Sequence, residues 1–335
     1  MDAGMIWEWI IKSIFLILFM TGGFAYVTLL ERRVLARMQV RIGPNRVGKF
    51  GLLQPIADAV KLIFKEELIP AGADKLMFIL APVITVIPAL IITGVIPWGT
   101  SINLFGREIA LSIANVNIGV LYIMAVTSIS VYGITLAGWS SNNKYAMFGG
   151  LRSTAQMISY ELALGLSLVG PILLAGSMNV MDIVQAQKTL PFALLQPAGF
   201  IVYFMATLAE INRAPFDMPE AEQELTAGYH TEYSSMKFAL FFMAEYIKMI
   251  AVAMIGSTMF LGGFQGPFVD QFPWLGPVYL FGKVIAWLFV DIWIRATLPR
   301  IRYDKLMALG WKVMYPIALL NVFITGILVV LTTKR

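Results

Sequence analysis

The sequence predicts an all-α polytopic membrane protein with about eight transmembrane helices, a short interfacial amphipathic helix and a cytoplasmic acidic loop. Two observations carry that class. Hydrophobic residues make up 59% of the 335 and charged residues only 13%, and the mean hydropathy of +0.77 is too high for a soluble globular chain. Several apolar runs also reach the roughly 20 residues that cross a bilayer core of about 30 Å. Little sequence is left for a soluble domain, so residues 1–335 read as a single integral membrane domain.

Hydropathy places the spans at 7–30, 76–98, 116–138, 155–175, 197–213, 237–261, 277–298 and 312–332. The first follows acidic Asp2 and Glu8 and lacks a basic leader and a small-residue cleavage site, so no cleavable signal peptide is expected. The fifth is short and ends in charge. Between the first two lies a segment of another kind, from Leu52 to Phe64. Its Leu53, Ile56, Ala57, Val60 and Phe64 recur at helical spacing on one face, with Asp58, Lys61 and Lys65 elsewhere. That is an interfacial amphipathic helix, too short and too polar to span.

Basic residues set the orientation. Arg32, Arg33, Arg37, Arg41, Arg46, Lys49, Lys61 and Lys65 follow the first span. Lys144, Arg152, Arg213, Arg300, Arg302 and Lys305 follow the third, fifth and seventh. The other side offers Arg107, Lys188 and the terminal Lys334 and Arg335. The positive-inside rule puts the basic connections in the cytoplasm and both termini outside. The outer connections are rich in Gly and Pro, as in Gly262-Gly263-Phe264-Gln265-Gly266-Pro267, and predict compact turns. Net charge is +5, but no basic cluster interleaves with aromatics, so no nucleic-acid partner is expected.

The residue types that are missing narrow the chemistry. There is no cysteine and one histidine, His230, which leaves no thiolate zinc or ordinary iron–sulfur site and no bis-histidine haem. No metal site is expected. Neither G-x-G-x-x-G nor G-x-x-x-x-G-K-[ST] occurs. Any redox role must therefore borrow its cofactors from partner chains. A lone histidine in a polar loop reads as structural, and the 19 Met and 22 Phe read as packing and lipid-facing residues.

The densest chemistry lies in Ala209–Leu225, where Glu210, Asp217, Glu220, Glu222, Glu224 and Arg213 stand between two apolar segments. A charge at a helix centre costs roughly 2.5–3.5 kcal/mol on insertion scales, so acid concentrated in one place has a use or a partner. Pro219 suits a first helical position, and in the helix that follows Glu220 and Glu224 share a face while Glu222 points elsewhere. Acids in a first turn complement the helix dipole, and clustered carboxylates also titrate as a group, which suits proton relay.

Three further carboxylates fall inside or at the edge of spans: Glu161, Glu210 and Glu245. Such residues face a bundle interior and mark ion paths, or else form helix-internal ion pairs. Glu245 can pair with Lys248, Glu210 with Arg213, and Asp291 is expected to pair with Arg295. Glu161 has no basic residue within four positions and reads as functional. The arginines from Arg32 to Arg46 read as topology anchors or as partners of the acidic loop or of a polar ligand headgroup.

The string Ala209–Leu225 resembles a family motif, A-E-x-N-R-x-P-F-D-x-x-E-x-E-x-E-L. So do Glu31-Arg32-Arg33, Met38 to Asn45, Leu53 to Asp58, Ser159-Tyr160-Glu161, Phe242 to Tyr246 and Pro299 to Asp304. In this order along the chain they resemble the H subunits of proton-pumping NADH–quinone oxidoreductase, or respiratory complex I, counterparts of mitochondrial NADH dehydrogenase subunit 1. That resemblance implies a multi-pass subunit of the bacterial cytoplasmic (inner) membrane, at the junction of the redox and membrane arms. It implies a quinone tunnel lined by Arg32, Arg41 and Arg213. It implies a tunnel and proton path of Asp58, Glu161, Glu210, Asp217, Glu220, Glu222, Glu224, Glu232 and Glu245. Quinone would be the substrate, and FMN and iron–sulfur clusters would lie on partner subunits. The partners would be redox-arm subunits on the cytoplasmic face, small membrane subunits and antiporter-like subunits, within lipid. Two other readings stay open: the related subunit of a membrane-bound hydrogenase or of a ferredoxin- or F420-linked complex, and a stand-alone cation antiporter. Against the last, no pair of broken helices related by an inverted repeat is visible.

Overall fold

A computed structural model describes residues 3–104, 107–217 and 227–333. Glu220, Glu222 and Glu224 lie outside the described residues. Twelve α-helices are described: α1 (Ala3–Met38), α2 (Gln54–Ile63), α3 (Lys75–Ile91), α4 (Gly119–Ser140), α5 (Lys144–Ala175), α6 (Val180–Ala186), α7 (Phe192–Leu195), α8 (Pro197–Glu210), α9 (Ser235–Phe260), α10 (Leu275–Thr297), α11 (Tyr303–Leu309) and α12 (Tyr315–Thr333). A hairpin of β1 (Ser101–Leu104) and β2 (Arg107–Ala110) joins the end of α3 to α4, with Ser101 paired to Ala110. Hydropathy alone does not announce this hairpin.

Among the described residues, seven helical segments are long and apolar enough to cross a membrane. The eighth expected span is α8, with 14 residues. At 1.5 Å per residue it reaches about 21 Å, short of a 30 Å core. The short helices α6 and α7 precede it in the chain. Helix boundaries exceed the hydropathy windows where the helix runs on past its apolar stretch into polar residues. Thus α1 runs through Glu31 and Arg32, and α5 begins at Lys144, capped by the Asn143 side chain. The last span begins at Tyr303 and contains a π turn at Gly310–Met314. That turn packs on α5, where Tyr160 donates to the Leu306 carbonyl at 2.8 Å and Trp311 donates to Ser159 at 3.2 Å.

Helix α9 is the hub. Two thirds of its most apolar window is buried, against about a fifth for α1 and for the last span. It packs against α3, α10 and α1, while α5 packs against α4, α8 and α12. Lipid tails give helices no hydrophobic reason to associate, so close packing of small residues has to do it. A Cβ on Gly138 of α4 would meet the Ala146 carbonyl oxygen of α5 at 2.7 Å, so only glycine lets α4 and α5 cross there. The turn after α9 uses Gly262 (φ 75°) and Gly263 (φ 52°), left-handed positions that suit glycine. This is the compact turn expected of that connection. Lys283 of α10 clamps it by donating to the carbonyls of Leu261, Gly263 and Gln265 at 2.7–2.8 Å.

The amphipathic segment forms α2 and packs on α1 and α9. Its Ile56, Val60 and Phe64 stay exposed, as suits a helix at an interface. The charged connections gather at one end of the bundle. Arg32 reaches Asp58, Asp217 reaches Arg300, and the Asp74 amide donates to the Ser140 carbonyl. The β1–β2 hairpin and the Gly262–Gly263 turn lie at the far ends of the same helices.

Candidate functional site

Glu31 organises the site. It falls on the buried stripe of α1 with Met20 and Val27, one further turn of the same face, and is 3% exposed. Arg213, just past the end of α8 and 6% exposed, donates through Nη1 to Glu31 and through Nε to Glu245, each at 2.6 Å. Its guanidinium also lies 4.3 Å over the Tyr246 ring, a cation–π contact. Arg295 of α10 donates to the other Glu31 oxygen. One arginine thus bridges two carboxylates from helices far apart in sequence, the planar fork geometry for which arginine and not lysine is suited.

A second pair lies one turn away. Lys248 of α9 reaches Glu210 of α8 at 3.0 Å and donates to Ser130 of α4 at 3.2 Å. Glu210, Lys248 and Glu245 border a small cavity of about 30 Å³, together with Ser130 and Asn212 and the apolar Ile134, Met157 and Phe241. It has room for water among polar groups. Glu161 of α5 accepts a hydrogen bond from Ser128 of α4, and Glu210 and Lys248 act on it through space. Gln156 of α5 holds the turn after α8 by donating to the carbonyls of Ala209 and Phe216 at 2.8 Å. These residues form a polar track through the bundle from Glu245 to Glu161.

Two expected pairings are corrected. Glu245 pairs with Arg213 rather than Lys248, and Glu210 with Lys248 rather than Arg213. The i, i+3 spacing permitted the local pairs, but the chain turns at Asn212 (φ 58°) and carries Arg213 toward α1 and α9. Asp291 does not pair with Arg295 either. Arg295 goes to Glu31, and neither Asp291 oxygen has a hydrogen-bond partner.

The other predicted residues occupy the charged end. Asp217 pairs with Arg300 at 3.0 Å. Burial lifts its carboxyl to about 6, against the opposing pull of Arg300. Glu232 accepts from Asn143 at 2.6 Å. Arg32 and Asp58, 2.6 Å apart, stand at the rim of a cavity of about 490 Å³ between α1, α2 and α9. Thr21, Phe24, Leu62, Ala239 and Met243 line its apolar walls. The volume and lining suit an apolar ligand with a polar head. Arg41 is not brought there. It is exposed, donates to Gln39 at 2.7 Å, and borders a separate open hollow with Arg33, Arg37 and Asn45. His230 packs edge-on to Tyr229 and Phe238, and burial pulls its imidazole down to about 4, so it stays neutral near pH 7. Among the described residues no group of three or more His, Asp or Glu is placed to hold a metal ion.

Sequence reasoning missed Glu31, Arg295 and Ser128 as parts of the site. The signal for Glu31 was available in its register on the apolar face of α1. Nothing local marked Arg295 or Ser128.

Comparison with known proteins places the whole chain. A family model described as NADH dehydrogenase matches residues 11–326. The H 1 subunit of the NADH-quinone oxidoreductase of Geobacter metallireducens is 52% identical over 302 residues, covering 90% of each chain. The H subunit of the same enzyme in Thermomicrobium roseum is 53% identical over 316 residues, covering 91% of each. The H 2 subunit of the Geobacter sulfurreducens enzyme is 53% identical over 302 residues, covering 90% of each. With nearly its whole length matched at this level, and with apolar helices fit to span a membrane many times, the chain belongs to the NADH dehydrogenase family.

Proposed function

We propose that this chain is the membrane component of a NADH–quinone oxidoreductase that contains much of the quinone tunnel and couples quinone reduction to proton translocation. The observation that carries the reading is the buried track Glu31–Arg213–Glu245, Glu210–Lys248 and Glu161–Ser128. Ionisable groups this deep among membrane helices are the material of proton relays. The 490 Å³ cavity between α1, α2 and α9 would admit the quinone, with Arg32 and Asp58 among its lining residues, and Arg213 would act on the quinone from the ion cluster behind Tyr246. Arg41 would act at the rim of the cytoplasmic face. Asp217, Glu220, Glu222, Glu224 and Glu232 would take up protons there and pass them inward.

In this reading residues 1–335 form one membrane unit in the cytoplasmic membrane of a bacterium, both termini lie outside, and the charged connections face the cytoplasm. FMN and iron–sulfur clusters belong to redox-arm subunits docked on that face. Small membrane subunits and antiporter-like subunits continue the path sideways. Moving one charge through about 100 mV is worth about 2.3 kcal/mol, so shifting a few of these charges is on the scale the coupling needs. The test is to purify the intact complex and to measure NADH-driven quinone reduction together with proton uptake in proteoliposomes. Reduction with coupled uptake is expected. A small homo-oligomer that exchanges ions without NADH would overturn the reading in favour of an antiporter.

A further inference from the structure

Asp291 lies on α10, 6% exposed, with both carboxylate oxygens buried and without a hydrogen-bond partner. The turn toward the charged end carries Arg295, whose guanidinium is engaged by Glu31. The turn away from it carries Trp287, 5% exposed, whose Nε1–H also lacks an acceptor. At 1.5 Å per residue, Arg295, Asp291 and Trp287 descend from the charged end in steps of about 6 Å along one face. Trp287 is walled in by Phe200, Tyr203 and Phe204 of α8 and by Gly256 of α9.

Asp291 is the odd member of its surroundings. The charged and titratable groups around this face are Glu31 from α1, Tyr203 and Glu210 from α8, and Arg213 just past it. Glu245 and Tyr246 come from α9, and Arg295 from α10 itself. Glu31 and Glu245 hold Arg213, and Glu210 holds Lys248. The Tyr203 hydroxyl donates to the Val252 carbonyl at 3.1 Å. Asp291 alone is left over, yet it interacts electrostatically with Arg213 and Tyr203. A buried carboxyl without partners costs stability that a hydrophobic side chain of similar size would not. Packing therefore does not explain an acid here. An ionised carboxylate with no compensating donor is the form an apolar interior rejects, so the residue takes up a proton and gives it back only when nearby charge changes.

We propose that Asp291 is a further proton-carrying site of this chain, a branch from the Glu31–Arg213–Glu245 cluster toward the membrane centre. The step is a bare protonation. The O–H bond of a protonated Glu31 or Glu245 breaks as an O–H bond forms at an Asp291 carboxylate oxygen, the return step reverses this, and no electron moves. The trigger is the balance of charge around Arg213: when Glu31 or Glu245 gains a proton, the guanidinium is freed to stabilise ionised Asp291.

The proposal rests on the reading of the chain as a coupling subunit, and the experiment separates the two. The intact complex is reconstituted in vesicles and protons moved per NADH oxidised are measured for Asp291→Asn, Asp291→Leu, Asp291→Glu and Glu161→Gln. Asp291→Asn and Asp291→Leu are expected to assemble and to keep electron transfer from NADH to an artificial acceptor. They are expected to lower the proton-to-electron ratio at least about twofold, while Asp291→Glu restores it. Redox-induced infrared spectra should lose a carboxyl signal in Asp291→Asn. If Asp291→Leu pumps normally while Glu161→Gln does not, the proposal is overturned and the coupling reading stands. If Glu161→Gln also pumps normally, the coupling reading falls and takes the proposal with it. Should the neutral variants fail to assemble, Asp291→Glu decides, because a carboxyl signal that does not shift in it overturns the assignment.

Discussion

Arg213 and Glu31 stand 182 positions apart in the chain and 2.6 Å apart in the bundle, both almost wholly shielded from solvent. Two charges taken so far from water are held by each other and by Glu245, Arg295 and the Tyr246 ring. Such a cluster is a poor source of stability while intact, but breaking it strands a buried charge. Its arrangement also fixes where the end of α8 meets α1 and α9.

Removing one partner should therefore cost about 3–5 kcal/mol. Arg213→Met and Glu31→Gln are each expected to lower the thermal midpoint of the purified complex. The double variant should lose clearly less than the sum, because the second change removes the charge that the first one stranded. Additive losses in a double-mutant cycle would show that the two residues do not work as a pair. In whatever complex assembles, quinone turnover should fall while NADH oxidation by an artificial acceptor survives.

The cavity between α1, α2 and α9 predicts a different signature. Ala239 and Met243 line it with apolar side chains. Replacing either with Trp fills apolar volume and leaves the carboxylates untouched. The expected result is a higher KM for long-chain quinones or a lower turnover, with the proton-to-electron ratio of the remaining activity unchanged. An unaltered KM and turnover for both variants would remove this cavity from the quinone route.

Asp217 carries the clearest pH dependence outside the spans. Burial raises its carboxyl from 3.8 to about 6 in the folded chain. The folded state thus binds this proton more tightly than the unfolded one, and the stability it contributes is present below about pH 4 and lost as pH rises through about 6. The shift of about two units corresponds to at most about 3 kcal/mol. Asp217→Asn should flatten the fall in thermal midpoint between pH 4 and 6. It should also remove an inflection near pH 6 from quinone reduction, since the carboxylate form alone holds Arg300. A midpoint profile identical to that of the unaltered complex would refute the assignment.

How much of this was legible in the sequence depends on the range of the interaction. Spans and the amphipathic α2 follow from local periodicity, which lipid enforces residue by residue, so they could be read directly. The compact Gly262–Gly263 turn was legible for the same reason. The site was legible in its residue types but not in its pairs. Glu210, Arg213, Glu245 and Lys248 were all picked out, yet local spacing pairs them wrongly, because each finds its partner on another helix. Arg295 shows why: it had Asp291 one turn away and is held instead by Glu31, 264 positions distant, which Arg213 also anchors. Arg41 shows another limit, since a basic run says which side of the membrane it occupies and nothing about which hollow it lines.

The far end of the track gives the sharpest test. Glu161 has no basic partner in its own helix and leans on one hydroxyl, Ser128, across the α4–α5 contact. Glu161→Gln keeps the size and an acceptor for that hydroxyl, so packing and assembly should hold. It cannot carry a proton, so quinone reduction and proton uptake should both slow by about a hundredfold, the lower end of the range for losing a proton-transfer group. Ser128→Ala makes the converse change: it removes the hydrogen bond and keeps the proton carrier, so its effect should be clearly smaller. Because Glu161 and Glu210 act on one another through space, combining Glu161→Gln with Glu210→Gln should cost less than the product of the single losses. A Ser128→Ala defect as large as that of Glu161→Gln would mean that the contact between α4 and α5, and not the proton, is what Glu161 supplies.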